Sequence, residues 1–111
     1  MPPREWRLRV EDILEAIARI ERYVEGLTIE QFKADHKTVD AVIRNLEIIG
    51  ESVRHLVEQR ETLPPRIPWA DIAGMRNVLI HAYFGVDLNI IWQTIVEDLP
   101  ALRAELWPLT Q

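Results

Sequence analysis

The chain has 111 residues, of which 13 are basic and 18 acidic, so its formal net charge is −5. This balance opposes indiscriminate binding to nucleic acid, and the absence of cysteine excludes disulfides, thiolate metal sites and cysteine nucleophiles. The length predicts one domain, spanning residues 1–111. No apolar run reaches membrane-spanning length and no signal-peptide core follows Met1, so we expect a soluble, cytoplasmic protein.

The first predicted element is a helix from about Arg4 to Glu25, with Gly26 as its stop signal. Its apolar residues recur with helical period at Trp6, Val10, Ile13, Leu14, Ile17, Ile20 and Val24. A stripe of this width predicts one buried face.

A short helical turn around residues 29–33 is predicted next, because Thr28 and Gln31 have the spacing of a capping box. Asp35 or Thr38 can then cap a second long helix.

That helix is predicted to run to about Arg60, and its pattern is the most sustained in the chain. The stripe consists of Val39, Val42, Ile43, Leu46, Ile49, Val53, Leu56 and Val57. Gly50 costs about 1 kcal/mol relative to Ala in a helix interior, so we expect another backbone to approach closely there. Glu51 follows it; the pattern alone favours a solvated residue, and the alternative is a partner for Arg76.

The proline-rich segment 63–68 predicts a loop, after which a helix is expected from Trp69 to Phe84, closed by Gly85. The apolar arc of this helix is Ile72, Met75, Val78, Leu79 and Ala82. The sequence therefore predicts a third main helix with one buried face.

Asp87 is placed to cap a final helix from Leu88, and Pro100 must either kink this helix or begin a new segment. Its predicted buried stripe is Ile91, Trp92, Ile95, Val96, Leu99, Leu102 and Leu106. Without strand-like alternation, the chain is predicted to be all-α: an antiparallel up-and-down bundle of four main helices plus a short helical turn.

The arc of the third main helix opposite its apolar stripe concentrates polar groups: Arg76, Asn77, His81 and Tyr83. Ile80 and Phe84 lie among them, so this face is not simply a solvated one. We interpret these two residues as the dimer interface, where a second copy of the chain docks.

The same polar groups suit cleavage of RNA without a metal ion. His81 can take the proton of a ribose 2′-hydroxyl or give one to the leaving oxygen, while Arg76 stabilises the charge on phosphorus. Each chain supplies one good proton carrier, so a symmetric dimer completes the pair. His36, His55 and His81 are scattered without a metal-ligand spacing, and no Gly-rich phosphate loop is present, so neither metal nor cofactor is expected.

The spacing Arg76-x4-His81-x-Tyr83 resembles the R-x4-H-x-Y signature of HepT-like toxins, which belong to the helical HEPN superfamily. The flanking sequence extends the resemblance over nearly the whole chain, at residues 40–51, Pro68-Trp69, 74–77 and 83–87.

The resemblance implies a HEPN-like fold and the toxin of a type VII-like toxin–antitoxin system, a homodimeric RNase. It implies that Arg76 and His81 are catalytic and that a nucleotidyltransferase antitoxin transfers AMP to Tyr83. Asn77, and Glu51 as a partner of Arg76, are expected to position the substrate.

Two alternatives remain from the residues alone. A lone His on a helix is more often structural than catalytic. The same face could belong to a non-catalytic module that binds a nucleotide or a nucleotidyltransferase, or to a purely structural dimerisation bundle.

Overall fold

The computed structural model describes residues 2–65, 67–75, 77 and 87–111 of the chain. These residues form helices and turns, and the predicted all-α helical bundle is confirmed. The helices are α1 (Pro2–Val24), α2 (Ile29–Ala34), α3 (His36–Glu58), α4 (69–75), α5 (Leu88–Gln93) and α6 (Leu99–Leu106). Two short 3₁₀ segments, Arg60–Thr62 and Trp107–Thr110, follow α3 and α6.

The pair formed by α1 and α3 is the main packing unit of the described chain. Each helix has 23 residues, and their facing apolar stripes meet in one hydrophobic core that α4, α5 and α6 also join. The fully buried members contributed by α1 and α3 include Val10, Ile13, Ile17, Ile20, Val42, Ile49 and Val53. The predicted stripes of both helices are therefore confirmed, with Leu14, Val24, Ile43 and Val57 at their partly buried edges.

The connection between α1 and α3 follows from its local signals. Gly26 has φ = 78°, in the left-handed region that glycine adopts without a steric penalty, and α1 ends just before it. Thr28 and Gln31 form the predicted capping box, with the two bonds at 3.2 and 2.9 Å. Asp35 then caps α3 by accepting hydrogen bonds from the backbone N–H and the hydroxyl of Thr38.

The last helix is composite because Pro100 lies within it. A π-helical turn over Thr94–Asp98 joins α5 to α6, and the N–H of Leu99 donates to the carbonyl of Thr94. Proline has no N–H to donate and its ring clashes with the carbonyl four residues earlier, which a wider turn relieves. Of the two predicted outcomes the new segment is observed, because a second α-helical segment begins at Leu99 after the π-helical turn.

Two contacts attach this composite helix to the rest of the bundle. The ring of Trp92 lies 5.3 Å from that of Phe32, which is fully buried on α2. Arg103 forms an ion pair with Glu21 of α1. The four main helices of the predicted bundle are therefore α1, α3, α4 and the α5–α6 composite, and α2 is the predicted short turn.

The structure corrects two expectations. Val96 was expected in the buried stripe of the last helix but is 50% exposed. The five residues that are buried fall within an arc of about 80°, and Val96 lies roughly 60° beyond its edge. At Gly50, no described atom lies within 4 Å of the place a Cβ would occupy, so the expected close backbone contact is not found among the described residues.

Candidate functional site

The described residues of helix α4 immediately precede the polar motif in the sequence. Pro68 precedes its first turn, where proline is tolerated, and the N–H of Ile72 donates to the Pro68 carbonyl at 3.0 Å. Ile72 is fully buried and Met75 is 7% exposed, so the predicted apolar face of this helix is confirmed at these two positions. The core contacts of α4 therefore determine which way its opposite face points.

Asn77 is the one residue of the predicted polar face that the structure describes. It is helical and exposed, as a residue that contacts a substrate or partner must be. The other predicted site residues lie outside the described residues, as do the predicted stripe members Val78, Leu79 and Ala82 and the predicted stop at Gly85. These site residues are Arg76, Ile80, His81, Tyr83 and Phe84.

Glu51 lies on the exposed side of α3, within a local network of charges. Its carboxylate accepts a hydrogen bond from Arg54, and the Nε2 of His55 lies 3.3 Å from it. Arg54 also pairs with Glu58 at 3.0 Å. The hydrogen bond from Arg54 lowers the pKa of the Glu51 carboxyl below its ordinary value, so this group is ionised at neutral pH.

The partners of Glu51 follow from helical spacing, which places residues three and four positions apart side by side. Arg54 and His55 have these spacings from Glu51, and this signal was present in the sequence. The network keeps a negative charge on the surface of α3, and its carboxylate can accept a further hydrogen bond.

The sequence analysis missed the buried polar residues Asn45 and Ser52, which lie beside the apolar stripe of α3. The Asn45 amide donates to the Ala41 carbonyl at 2.9 Å, and its own carbonyl oxygen is buried without a hydrogen-bond partner. Their spacing of seven residues places both on one side of the helix, which the sequence could have revealed.

Two further kinds of feature, a metal-binding cluster and a membrane-spanning helix, are absent from the described residues. Among them, no three His, Cys, Asp or Glu side chains come together as ligands for a metal ion. No helix in this part of the chain is long and apolar enough to cross a membrane.

Comparison with known proteins identifies the family. The family model described as ribonuclease HepT-like matches residues 13–107. The chain belongs to the HepT-like ribonuclease family. The family match covers α2 to α6 entirely, together with the R-x4-H-x-Y motif, and confirms the resemblance drawn from that motif and its flanks.

Individual relatives agree with the family match along most of their length. "Probable ribonuclease HepT" of Thermococcus cleftensis is 48% identical over 96 residues, covering 86% of this chain and 87% of the relative. "Putative RNase TTE0752" of Caldanaerobacter subterraneus subsp. tengcongensis is 39% identical over 102 residues, covering 92% of this chain and 91% of the relative. No solved structure matches the chain.

Proposed function

We propose that this protein is a ribonuclease and the toxin of a type VII-like toxin–antitoxin system in the cytoplasm. The observation that carries this proposal is the near full-length similarity to a protein named as a ribonuclease HepT, in a chain that has the complete Arg76-x4-His81-x-Tyr83 motif. The shared hydrophobic core of the described helices supports a single HEPN-like domain over residues 1–111.

The proposed reaction is transesterification of RNA without a metal ion. The 2′-hydroxyl oxygen of a ribose attacks the adjacent phosphorus, and one His81 imidazole takes its proton. The bond from phosphorus to the 5′-oxygen breaks, and a protonated imidazole gives that oxygen a proton as it leaves. Arg76 stabilises the negative charge that develops on the phosphoryl oxygens.

One chain brings a single His81, whereas the reaction needs a base and an acid. A symmetric homodimer supplies both if its two motifs meet in one cleft. Ile80 and Phe84 are the proposed apolar contacts of that interface. Asn77, whose amide can both donate and accept hydrogen bonds, and Glu51 are proposed to position the substrate.

Regulation is proposed to act through Tyr83. Its hydroxyl oxygen attacks the α-phosphorus of ATP on a nucleotidyltransferase antitoxin, the bond to pyrophosphate breaks, and the phenolic proton is lost to a base. The AMP group then places a phosphate near Arg76, where it competes with the phosphate of the substrate.

Cleavage of a labelled RNA by purified His81→Ala and His36→Ala proteins tests the nuclease. His36 is an exposed histidine on α3 outside the motif, so its variant controls for loss of an imidazole. We expect the His81 variant to lose at least about a hundredfold in rate, with unchanged helicity, and the His36 variant to match wild type. Equal rates for all three proteins would refute the role of His81. Binding without cleavage by wild type would favour the non-catalytic module.

Intact mass after incubation with ATP and the nucleotidyltransferase from the same genome tests the regulation. The matched variants are Tyr83→Phe and Tyr23→Phe, since Tyr23 is a 40% exposed tyrosine on α1. We expect wild type and the Tyr23 variant to gain AMP and stop cleaving RNA, and the Tyr83 variant to stay unmodified and active. AMP on the Tyr83 variant would contradict the proposed acceptor.

A further inference from the structure

A groove of about 360 Å³ lies between α4 and the composite last helix. Met75 and Leu102, both buried, form part of its floor. Asp71 of α4, Asp98 at the end of the π-helical turn and Glu105 of α6 line its edges. The groove therefore combines an apolar floor with three carboxylates from separate parts of the chain.

Some carboxylates on the surface of the described chain pair with a neighbouring cation, and others do not. Glu15 pairs with Arg19 at 2.6 Å, and Glu21 pairs with Arg103. In the part of the chain that the structure describes, no Arg, Lys or His forms an ion pair with the three groove carboxylates. Partial burial, and next the neighbouring Glu97 carboxylate, raise the pKa of Asp98.

Gly74 also lines the groove, at a position where the described chain does not need a glycine. No described atom lies within 4 Å of the place its Cβ would occupy, so a larger side chain would meet none of the described residues there. Glycine within a helix costs about 1 kcal/mol relative to alanine, and packing among the described residues does not offset this cost. A glycine at this position leaves room for the backbone of a docked molecule to approach closely.

We propose that this groove docks a basic, amphipathic helical segment of a partner protein. Apolar side chains of the segment pack on the exposed Ala70, Gly74 and Ala101, above the buried floor of the groove. Its Arg or Lys groups meet Asp71, Asp98 and Glu105. Charge complementarity selects this occupant, because three carboxylates repel the phosphates of RNA. An isologous contact with a second copy would bring two acidic grooves together, which costs free energy through like-charge repulsion.

Fluorescence anisotropy with a labelled synthetic peptide tests the docking surface, independently of any nuclease activity. The probe is an amphipathic helix with Leu and Arg on one face, and the control peptide has Glu in place of Arg. The groove variants are Gly74→Leu and the triple substitution Asp71→Asn, Asp98→Asn and Glu105→Gln. The matched control carries Glu11→Gln, Asp12→Asn and Glu25→Gln, which removes the same charge from exposed sites on or next to α1.

We expect the Arg peptide to bind wild type and the control variant alike, and the triple groove variant about tenfold or more weakly. Gly74→Leu should weaken binding while the net charge is unchanged. Binding to wild type should shift the backbone amide resonances of Gly74 and Leu102 in two-dimensional NMR spectra.

Three outcomes would overturn the proposal. The first is no binding of the Arg peptide, and the second is equal loss of affinity in the groove and control variants. The third is loss of the bound peptide when a short RNA is added, or when sedimentation shows that the protein self-associates. Either result would assign the groove to that other occupant. Cleavage of RNA by the same variants separates this result from the proposed function, since the groove variants should cleave as wild type does.

Discussion

The two sides of the bundle are built differently. Where α1 meets α3, stripes of Ile, Val and Leu from two long helices are removed from water. Where α4 meets the last helix, a groove remains, with small residues in its lining and carboxylates at its edges. The first interface buries its apolar surface within the chain, whereas the second leaves small residues and carboxylates at the surface beside a buried floor.

This difference suggests a division of roles. Buried apolar area supplies most of the free energy of folding, so the α1–α3 pair should account for most of the stability. Changes on the groove side should cost little stability and affect binding instead. The predictions below test this division, from the largest expected effect to the smallest.

Truncation of the core should have the largest effect. Ile49 of α3 is fully buried, and Ile49→Ala should lower the free energy of unfolding by roughly 2–5 kcal/mol through lost burial and the cavity left behind. Urea denaturation followed by circular dichroism measures this change. Val96→Ala is the control, because Val96 is 50% exposed, and we expect a change within about 0.5 kcal/mol. Equal losses for the two variants would contradict the division of roles.

Loss of the capping box should have a smaller effect on the same side of the molecule. Thr28→Ala removes the side-chain oxygen that accepts from the Gln31 N–H, and we expect a loss of about 1 kcal/mol. Thr28→Ser keeps that oxygen and should remain near wild type. The same denaturation experiment compares them; a Ser variant as unstable as the Ala variant would show that the hydrogen bond is not the cause.

Local signals were sufficient to predict most of the described helices. The apolar stripes of α1 and α3 repeat over several turns, and one-residue signals such as Gly26 and Asp35 mark where helices end and begin. Such features depend on neighbours in sequence, so periodicity and capping chemistry can identify them.

Features that depend on contacts between distant segments were harder to predict. Pro100 allowed a kink or a new segment, and its position alone did not show that a π-helical turn would precede it. The burial of Asn45 and the exposure of Val96 depend on how neighbouring helices are rotated. The groove joins residues of α4 to those of the last helix, which no local pattern brings together.

In the candidate site, too, some features could be predicted from the sequence and others depend on contacts in the fold. The motif from Arg76 to Tyr83 was identified from residue types at specific spacings, and the family match agrees with it. For Glu51 the sequence offered two interpretations, a solvated residue or a partner of Arg76. The described contacts give it Arg54 and His55, while its role toward substrate remains a prediction.

Substitution of Gly74 should show that the groove side tolerates an added side chain without loss of stability. Gly74→Ala should raise the free energy of unfolding by up to about 1 kcal/mol, because alanine favours the helix and no described atom lies within 4 Å of its Cβ. Gly26→Ala is the contrasting variant and should be destabilising, since φ = 78° is strained for alanine. Thermal unfolding measures both. A destabilised Gly74→Ala protein would show that this position is tightly packed.

The smallest effect should appear in the pH dependence of the groove. The pKa of Asp98 is raised above its ordinary value of 3.8, mainly by burial, so ionisation of this carboxyl disfavours the folded state. The protonated Asp98 carboxyl therefore stabilises the folded state fully below pH 3.8, its ordinary pKa. This stabilisation is lost as the pH rises through the raised pKa. Asp98→Asn cannot ionise, so its melting temperature relative to wild type should increase from acidic to neutral pH.

Asp35, at the start of α3, has a pKa shift of the opposite sign to that of Asp98. Hydrogen bonds from Thr38 lower the pKa of the Asp35 carboxyl, so its ionised form stabilises the folded state fully above pH 3.8. This stabilisation is lost as the pH falls through the lowered pKa. The melting temperature of Asp35→Ala relative to wild type should therefore decrease from acidic to neutral pH. If the relative melting temperatures of both variants changed with pH in the same direction, the two opposite pKa shifts would be contradicted. Both carboxyls would then respond to the net charge of the protein rather than to their own surroundings.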